Sequence, residues 1–218
     1  MRGGVGAGKD LRGPGGAEAP DGAATTTGTG ALRQLEQTQA MLGRVDPAAL
    51  ERLCAAVVRV HERRGTIFVC GNGGSATTAS HFAQDLAKST LLGPDDADRL
   101  RVVALTDVSV LTAWANDHGF DTVFEQPLRA LARPGDLLVA LSGSGNSANV
   151  LNAVRWANAS GIETFAVTGF DGGELRRLAA DAVHVDVADM EIAENVHLAV
   201  AHVVVCATRE WKRERRGG

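Results

Sequence analysis

From about residue 66 onward, short apolar runs alternate with longer segments whose apolar residues recur at helical spacing. The runs predict strands at 66–70, 101–105, 136–141, 163–168 and 182–187. The segments between and after them predict helices at 75–88, 108–117, 121–132, 147–159, 173–179 and 190–212. Because the strands are apolar on both faces and separated by helices, they predict an α/β fold. The expected architecture is a three-layer sandwich with a five-stranded parallel sheet between helical layers.

Two further helices precede the first predicted strand. Apolar residues at helical spacing begin near Ala31. A second helix starts at Asp46-Pro47, with Asp as its cap and Pro in its first position, and runs to about Arg64. Residues 1–30 are dominated by Gly, Ala, Thr and Pro and are expected to form a disordered N-terminal segment. We therefore predict a single domain over 31–212, including the N-terminal helices, and a basic tail at 213–218.

Composition narrows the class of protein. The chain has 218 residues, of which 44% are hydrophobic, and a net charge of −4, which disfavours a nucleic-acid partner. No run reaches the roughly 18 apolar residues of a membrane span, and the beginning of the chain lacks the apolar segment of a secretory signal. Its three cysteines, Cys54, Cys70 and Cys206, are widely spaced, as free thiols in a reducing compartment would be. We expect a cytoplasmic protein without a membrane partner.

Two loops rich in Gly and Ser are the most informative stretches. Gly71-Asn72-Gly73-Gly74-Ser75 and Ser142-Gly143-Ser144-Gly145-Asn146-Ser147-Ala148 each follow a predicted strand and open a predicted helix. A helix start offers unpaired N–H groups and a partial positive charge, and serine hydroxyls can donate to phosphate oxygens. Because both loops fall at the carboxyl ends of parallel strands, they predict a binding site for a phosphorylated small molecule.

Two predicted helices carry titratable side chains suited to proton transfer or metal binding. His81 and Asp85 are four residues apart and share one face of the helix at 75–88. The C-terminal helix carries Glu194, His197 and His202 among apolar residues. The pair on the first helix could instead be a surface pair, and at least one of the two later histidines is expected to be a structural interior residue.

Four segments in this order resemble the sugar isomerase (SIS) domain family, and most closely its phosphoheptose isomerases. They are Gly71-Asn72-Gly73-Gly74-Ser75, Ser80-His81-Phe82-Ala83, Ala115-Asn116-Asp117 and Ser142-Gly143-Ser144-Gly145-Asn146-Ser147. The resemblance covers roughly residues 32–210. It implies a flavodoxin-like SIS fold assembled as a homotetramer with active sites at subunit junctions. It also implies an aldose–ketose isomerase that converts sedoheptulose 7-phosphate to D-glycero-D-manno-heptose 7-phosphate through an enediol.

The same resemblance implies a role for each candidate residue. The phosphate would be held by the serine loop through Ser142, Gly143, Ser144 and Ser147. The rest of the substrate would be bound by Asn72, Gly73, Gly74, Ser75, Asn116, Asp117 and Glu194. The acid/base pair would be Asp85 and His202, with His197 structural. In members that bind metal, one Zn²⁺ per subunit would take as ligands the equivalents of His81, Asp85, Glu194 and His202.

Two positions depart from the family pattern. Asp85 stands where the family usually has a glutamate, and Glu194 stands where it usually has a glutamine. Two histidines and two carboxylates would still form a credible zinc shell. However, Glu194 and His202 lie about 12 Å apart along an ideal helix. One ion could bind both only if the helix began after Glu194, bent, or carried side chains that converge.

Two alternatives stay open on the sequence. The chain could be a non-catalytic SIS module, acting as a sugar-phosphate sensor or as an assembly factor that binds the bacterial replication initiator. It could also isomerise another phosphosugar, such as a hexose or pentose phosphate, because the loops recognise phosphate and the predicted hydroxyl contacts are few.

Overall fold

The computed structural model describes residues 26–217. Its strands are β1 Thr66–Cys70, β2 Arg101–Ala104, β3 Leu137–Ser142, β4 Glu163–Thr168 and β5 Asp181–His184. Its helices are α1 Thr26–Leu42, α2 Pro47–Glu62, α3 Gly73–Lys88, α4 Val108–His118, α5 Glu125–Leu131, α6 Ala148–Ala159, α7 Leu175–Leu178 and α8 Met190–Gly217. A 3-10 turn at Phe120–Thr122 joins α4 to α5.

The five strands form one parallel sheet in the order β2-β1-β3-β4-β5. After β1 the chain first builds the β2 edge and then crosses back to β3. The strand order therefore reverses between β1 and β3. In open parallel sheets a ligand binds in the crevice beyond the carboxyl ends of the strands at such a point. The two Gly/Ser loops leave β1 and β3, so the topology brings both to this crevice.

The sheet has a separate apolar core on each face, as the expected three-layer sandwich requires. Neighbouring residues of β1 alternate between them, because side chains along a strand point to opposite faces. Val69 packs in the core shared with α2, α3 and α8, and Phe68 packs in the core shared with α5 and α6. All six residues of β3 are buried, which fixes the central strand between the two layers.

The predicted elements all occur, with shifts at several ends. Helix α1 begins at Thr26, so residues 26–30 are helical where disorder was predicted, and the rest of that predicted segment lies outside the described residues. Helix α5 starts later than predicted because Gly119, at φ +91°, ends α4 and a 3-10 turn follows. Helix α8 runs through to Gly217, so the predicted basic tail is helical over 213–217.

A buried ion pair explains why α8 continues past residue 212. The Lys212 ammonium donates to the Asp96 carboxylate at 3.0 Å, and both side chains are almost fully buried. Lys212 also donates to the backbone carbonyl of Asp98, and Arg216 adds a second ion pair to Asp96. These contacts hold the last turns of α8 against the loop before β2.

Helix α8 is long and apolar enough to cross a membrane by length and composition, contrary to the expectation from the sequence. Its apolar residues, including Val196, Val200 and Val204, lie in the core of the α2/α3 face. Core helices of soluble proteins often pass the same test. The packing therefore accounts for the hydropathy of this helix.

Candidate active site

The two Gly/Ser loops meet in the crevice between β1 and β3. The amide of Asn72 donates to that of Asn149 at 2.8 Å, and Asn149 donates back at 2.9 Å. A Cβ on Gly71 would come within 2.9 Å of the Leu141 carbonyl on β3. Because residue 71 has no side chain, the loop that follows β1 can lie directly against β3.

The serine loop, residues 142–148, is held in place by hydrogen bonds to the backbone of Gly145. The Ser142 hydroxyl accepts from the Gly145 N–H at 3.1 Å, and the Leu175 N–H donates to the Gly145 carbonyl at 2.9 Å. Gly145 has φ +66°, and a Cβ there would overlap the Gly172 carbonyl. Ser147 is the N-cap residue of α6, yet its side chain makes no capping hydrogen bond. Its hydroxyl can therefore donate to a ligand.

A cavity of about 200 Å³ lies between the first turns of α3 and α6. It is lined by Asn72, Gly73, Gly74, Ser75, Ser142, Gly143, Ser144, Ser147, Met190 and Glu194. Two helix N-termini and four serine residues line one small space, and such helix N-termini bind phosphate groups. Met190 and Glu194, from the first turns of α8, close this phosphate cavity from above Gly143 and Gly74.

A second cavity of about 250 Å³ continues the phosphate cavity along the seam between α3 and α8. The two cavities share Gly74 and Glu194. The other lining residues of this seam cavity are Thr77, Thr78, His81, Asn195 and Leu198. The groove therefore leads from the phosphate cavity toward the titratable residues of α3.

Three of the predicted acid/base and metal residues converge at the far end of this seam. The Nε2 atom of His81 lies 3.2 Å from the Asp85 carboxylate and 3.4 Å from Nε2 of His202. His202 lies 3.7 Å from the same carboxylate. The side chains of the two histidines are 43% and 48% exposed, whereas that of Asp85 is 18% exposed. Asp85 thus lies beneath the two imidazoles, and it also accepts from Ser89 Oγ at 3.2 Å.

Comparison with known proteins identifies the family. The model of the SIS domain matches residues 32–169. The chain belongs to the SIS domain family. Its similarity to the phosphoheptose isomerase of Chlorobaculum parvum is 41% identity over 171 residues, 75% of this chain and 79% of that protein.

Two solved phosphoheptose isomerases extend the similarity to the fold. The structure from Neisseria gonorrhoeae superposes with a TM-score of 0.71 at 33% identity, over 83% of this chain and 93% of that chain. The structure from Francisella tularensis gives a TM-score of 0.76 at 26% identity, over 86% of this chain and 99% of that chain. This SIS domain is thus of the phosphoheptose isomerase type.

The donor set at the His81, Asp85 and His202 cluster fits a zinc ion. Ligand atoms around tetrahedral Zn²⁺, at bond lengths of about 2.0–2.1 Å, lie about 3.3–3.4 Å from one another. The three separations of 3.2, 3.4 and 3.7 Å bracket that value. Two imidazoles and a carboxylate would leave a fourth position for water or substrate, as in catalytic zinc sites.

Glu194 is not part of this cluster. Helix α8 begins at Met190 and runs on through His202, so it does not start after Glu194. The three ligand atoms of the cluster lie within 4.8 Å of one another, and among residues 26–217 Glu194 does not join them. Its carboxylate instead lies against Gly74 in the phosphate cavity. The assignment of Glu194 as a fourth zinc ligand stays a prediction, and the described structure brings only the other three predicted ligands together.

Asn116 and Asp117 do not line the phosphate cavity or the seam cavity. They are exposed at the end of α4, where Asn116 donates to the Asp117 carboxylate at 2.8 Å. Helix α4 follows β2, the edge strand, and none of its residues is buried. The fold of one chain therefore leaves this predicted sugar-binding pair apart from the other site residues.

His197 is a buried core residue of α8, as expected. It is 1% exposed, and both ring nitrogens lack a hydrogen-bond partner among the described residues. Burial lowers the pKa of His197 to about 4, so its ring is neutral at physiological pH. Sequence reasoning missed Met190, which covers the serine loop, because an apolar residue in the first turn of a helix carries no signal of a ligand.

Proposed function

We propose that this chain acts as a phosphoheptose isomerase that converts sedoheptulose 7-phosphate to D-glycero-D-manno-heptose 7-phosphate. The observation that carries the proposal is the continuous groove from the phosphate cavity, along the α3/α8 seam, toward the His81, Asp85 and His202 cluster. The similarity of this chain to phosphoheptose isomerases supports the same reaction.

The length of the groove suits a sugar that carries its phosphate at the end away from the reacting carbons. From Gly74 to His81 the axis of α3 rises about 10 Å. With the phosphate bound by the serine hydroxyls, carbons 1 and 2 of the open chain point along the seam toward the imidazoles. Sugar hydroxyls between these two ends face Thr77, Thr78 and Asn195 on the walls.

Asp85 and His202 are assigned as the acid/base pair. Isomerisation removes a proton from carbon 1 of the ketose, forms an enediol, and returns a proton to carbon 2. A positioned base and acid contribute about 10²–10⁴-fold to such a step. The His202 side chain is 48% exposed, and its Nε2 atom lies 3.7 Å from the Asp85 carboxylate.

Zinc binding by His81, Asp85 and His202 is the second part of the proposal. When bound there, a zinc ion would supply Lewis-acid polarisation of the substrate carbonyl. Nε2 of His202 can carry either a proton or a metal, so the acid/base and ligand assignments of this residue are alternatives. Glu194 keeps the substrate-binding assignment.

The test is the conversion of sedoheptulose 7-phosphate by the purified protein, measured before and after a chelator and again after addition of Zn²⁺. The proposal predicts conversion of the substrate. If the chelator abolishes conversion and added Zn²⁺ restores it, the His81, Asp85 and His202 cluster is a zinc site. If the chelator leaves conversion unchanged, the cluster acts by direct proton transfer without a metal. Binding of the phosphosugar without conversion would contradict the enzyme and favour a sensor.

We propose a homotetramer with active sites at subunit junctions. Large apolar side chains are exposed on α1 and near α4, among them Leu35 at 66%, Val108 at 74% and Phe120 at 61%. Contact between copies would cover these faces and could bring Asn116 and Asp117 of one subunit to the groove of another. Light scattering on the eluting protein measures the mass, and a monomer would contradict this assembly.

A cytoplasmic location is also proposed. The supporting observations are three free cysteines and the incorporation of the apolar face of α8 into the core. A reducing compartment keeps such thiols free. Fractionation of cells that produce the protein checks this assignment, which recovery in the membrane fraction would contradict.

A further inference from the structure

Thr78 differs in its burial from the other uncharged polar residues of the seam cavity. It is 6% exposed, whereas Thr77 and Asn195 are exposed to solvent. A buried hydroxyl is shielded from bulk water, so its hydrogen bonds must come from the protein or from a bound molecule. Thr78 is therefore the uncharged wall residue whose polar group depends most on what fills the cavity.

The Thr78 hydroxyl makes no hydrogen bond with the part of the chain that the structure describes, 26–217. Other helical threonines use the helix backbone: Thr112 and Thr208 each donate to the carbonyl four residues earlier at 2.7 Å. Unlike the ring nitrogens of His197, the oxygen of Thr78 is not fully enclosed by the protein. A hydroxyl that the backbone leaves free, on the wall of a cavity, can donate to a ligand and accept from it.

Ser75 shows the same combination of features one turn earlier on α3. It is 4% exposed, it lines the phosphate cavity, and its hydroxyl also makes no hydrogen bond within the described residues. Residues three apart on a helix are neighbours on its surface. Two buried hydroxyls without a protein partner therefore follow each other along the groove, with Ser75 in the phosphate cavity and Thr78 in the seam cavity.

The position of Thr78 along α3 corresponds to the middle of the proposed substrate. The helix axis rises about 6 Å from Gly74 to Thr78 and about 4.5 Å from Thr78 to His81. A sugar whose phosphate lies near Gly74, and whose carbons 1 and 2 lie near His81, therefore places its central carbons beside Thr78. In an open-chain heptulose 7-phosphate these central carbons, 3 to 5, each carry a hydroxyl group.

We propose that Thr78 is a specificity-determining residue that hydrogen-bonds a hydroxyl group on the central carbons of the sugar. This inference rests on the proposed isomerase function, which sets the end of the sugar that lies near His81. A phosphosugar that presents hydrogen at this point leaves the Thr78 hydroxyl buried and unpaired, and such a site rejects the ligand. The serine loop recognises the phosphate that all phosphosugars share, whereas Thr78 selects among them by the configuration of a central carbon.

The test compares Thr78→Val, which keeps the shape of the side chain without the hydroxyl, with Thr78→Ser, which keeps the hydroxyl. The matched control is Thr208→Val, the same change at a threonine of α8 that is 1% exposed and lines neither cavity. The two ligands are inorganic phosphate and the heptitol 7-phosphate made by reducing the carbonyl of sedoheptulose 7-phosphate. The heptitol keeps the hydroxyls on carbons 3 to 6 and cannot isomerise. Calorimetry measures both affinities, and thermal unfolding checks that each variant folds.

For T78V we expect the heptitol phosphate to bind about 5–150-fold more weakly, because a sugar hydroxyl is left unpaired in a buried place. The affinity of T78V for inorganic phosphate should equal that of the native protein. T78S should recover most of the affinity for the heptitol phosphate, and T208V should match the native protein with both ligands. Unchanged heptitol phosphate binding in T78V would overturn the inference. Equal weakening of both ligands would overturn it as well, because the change would then have disturbed the phosphate cavity.

Conversion of sedoheptulose 7-phosphate by the same proteins separates this inference from the proposed function. We expect kcat/KM of T78V to fall by about the same factor as its affinity for the heptitol phosphate. If the native protein binds the heptitol phosphate but does not convert the ketose, the isomerase function is contradicted. The affinities of T78V and T78S then still decide whether Thr78 recognises the sugar.

Discussion

The serine loop depends on a glycine at residue 145, and Gly145→Ala tests this dependence. Gly145 has φ +66°, a conformation that L side chains rarely adopt, and its Cβ would overlap the Gly172 carbonyl. That carbonyl is backbone and cannot rotate away as a side chain can. The matched control is Gly135→Ala, because Gly135 also has a positive φ, +94°, but has open space where a Cβ would lie.

G145A and G135A should differ in unfolding free energy by the cost of the steric overlap at residue 145. An alanine at positive φ costs about 1–2 kcal/mol of stability, which applies to both positions. Overpacking against fixed atoms adds about 1–3 kcal/mol at residue 145 only, which gives a total of about 2–5 kcal/mol there. If the loop moves to relieve the overlap, the Gly145 N–H also shifts away from Ser142, and phosphate affinity falls.

Urea unfolding of the native protein and both variants measures the stability difference, and calorimetry with inorganic phosphate measures binding. G145A should be about 1–3 kcal/mol less stable than G135A, and it should bind phosphate at least tenfold more weakly than G135A does. Equal stability together with equal phosphate affinity in the two variants would refute the argument that backbone contact at Gly145 shapes the phosphate cavity.

Two further predictions concern buried titratable groups. Lys212→Met should cost about 3–5 kcal/mol of unfolding free energy, because it leaves the Asp96 carboxylate buried with less compensation. Burial opposes ionisation of Asp96, but hydrogen bonds from Leu92 and Lys212 hold its pKa well below 3.8. The native protein should therefore lose this stabilisation as the pH falls below about 4, and acid unfolding of the double variant K212M/D96L checks the sign, since it should lack that loss. Burial lowers the pKa of His197 from 6.5 to about 4, so the unfolded chain binds more protons in that window, and stability should decline as the pH falls through it. His197→Phe should remove that decline, and the same slope in both proteins would contradict the assignment.

Local sequence patterns were sufficient to predict the sheet and the phosphate cavity. Each short apolar run between helices became a parallel strand, and both Gly/Ser loops lie at the carboxyl ends of strands, as the sequence predicts. Spacing of four residues placed His81 and Asp85 on one helix face, where His202 joins them. These features depend on period and position along single elements, which a sequence records directly.

The positions of the other predicted site residues depend on relations between elements. Helix α4, which carries Asn116 and Asp117, follows the edge strand β2, and the order of strands is not written in any local motif. Glu194 lies over Gly74 because α8 packs against α3, a contact between elements distant in sequence. The path of α8 past residue 212 likewise depends on Asp96, a partner more than a hundred residues away in sequence.

The central claim is that the phosphate cavity and the acid/base cluster act on one sugar phosphate. Its most direct test is the rate of conversion of sedoheptulose 7-phosphate, followed by NMR, for the native protein, the double variant S144A/S147A and the control S160A at the opposite end of α6. We predict turnover by the native protein and by S160A. Loss of two hydroxyl contacts to a charged phosphate, at about 1.5–3 kcal/mol each, should lower kcat/KM of S144A/S147A about 100-fold or more. No conversion by the native protein, or equal kcat/KM in all three, would contradict the account.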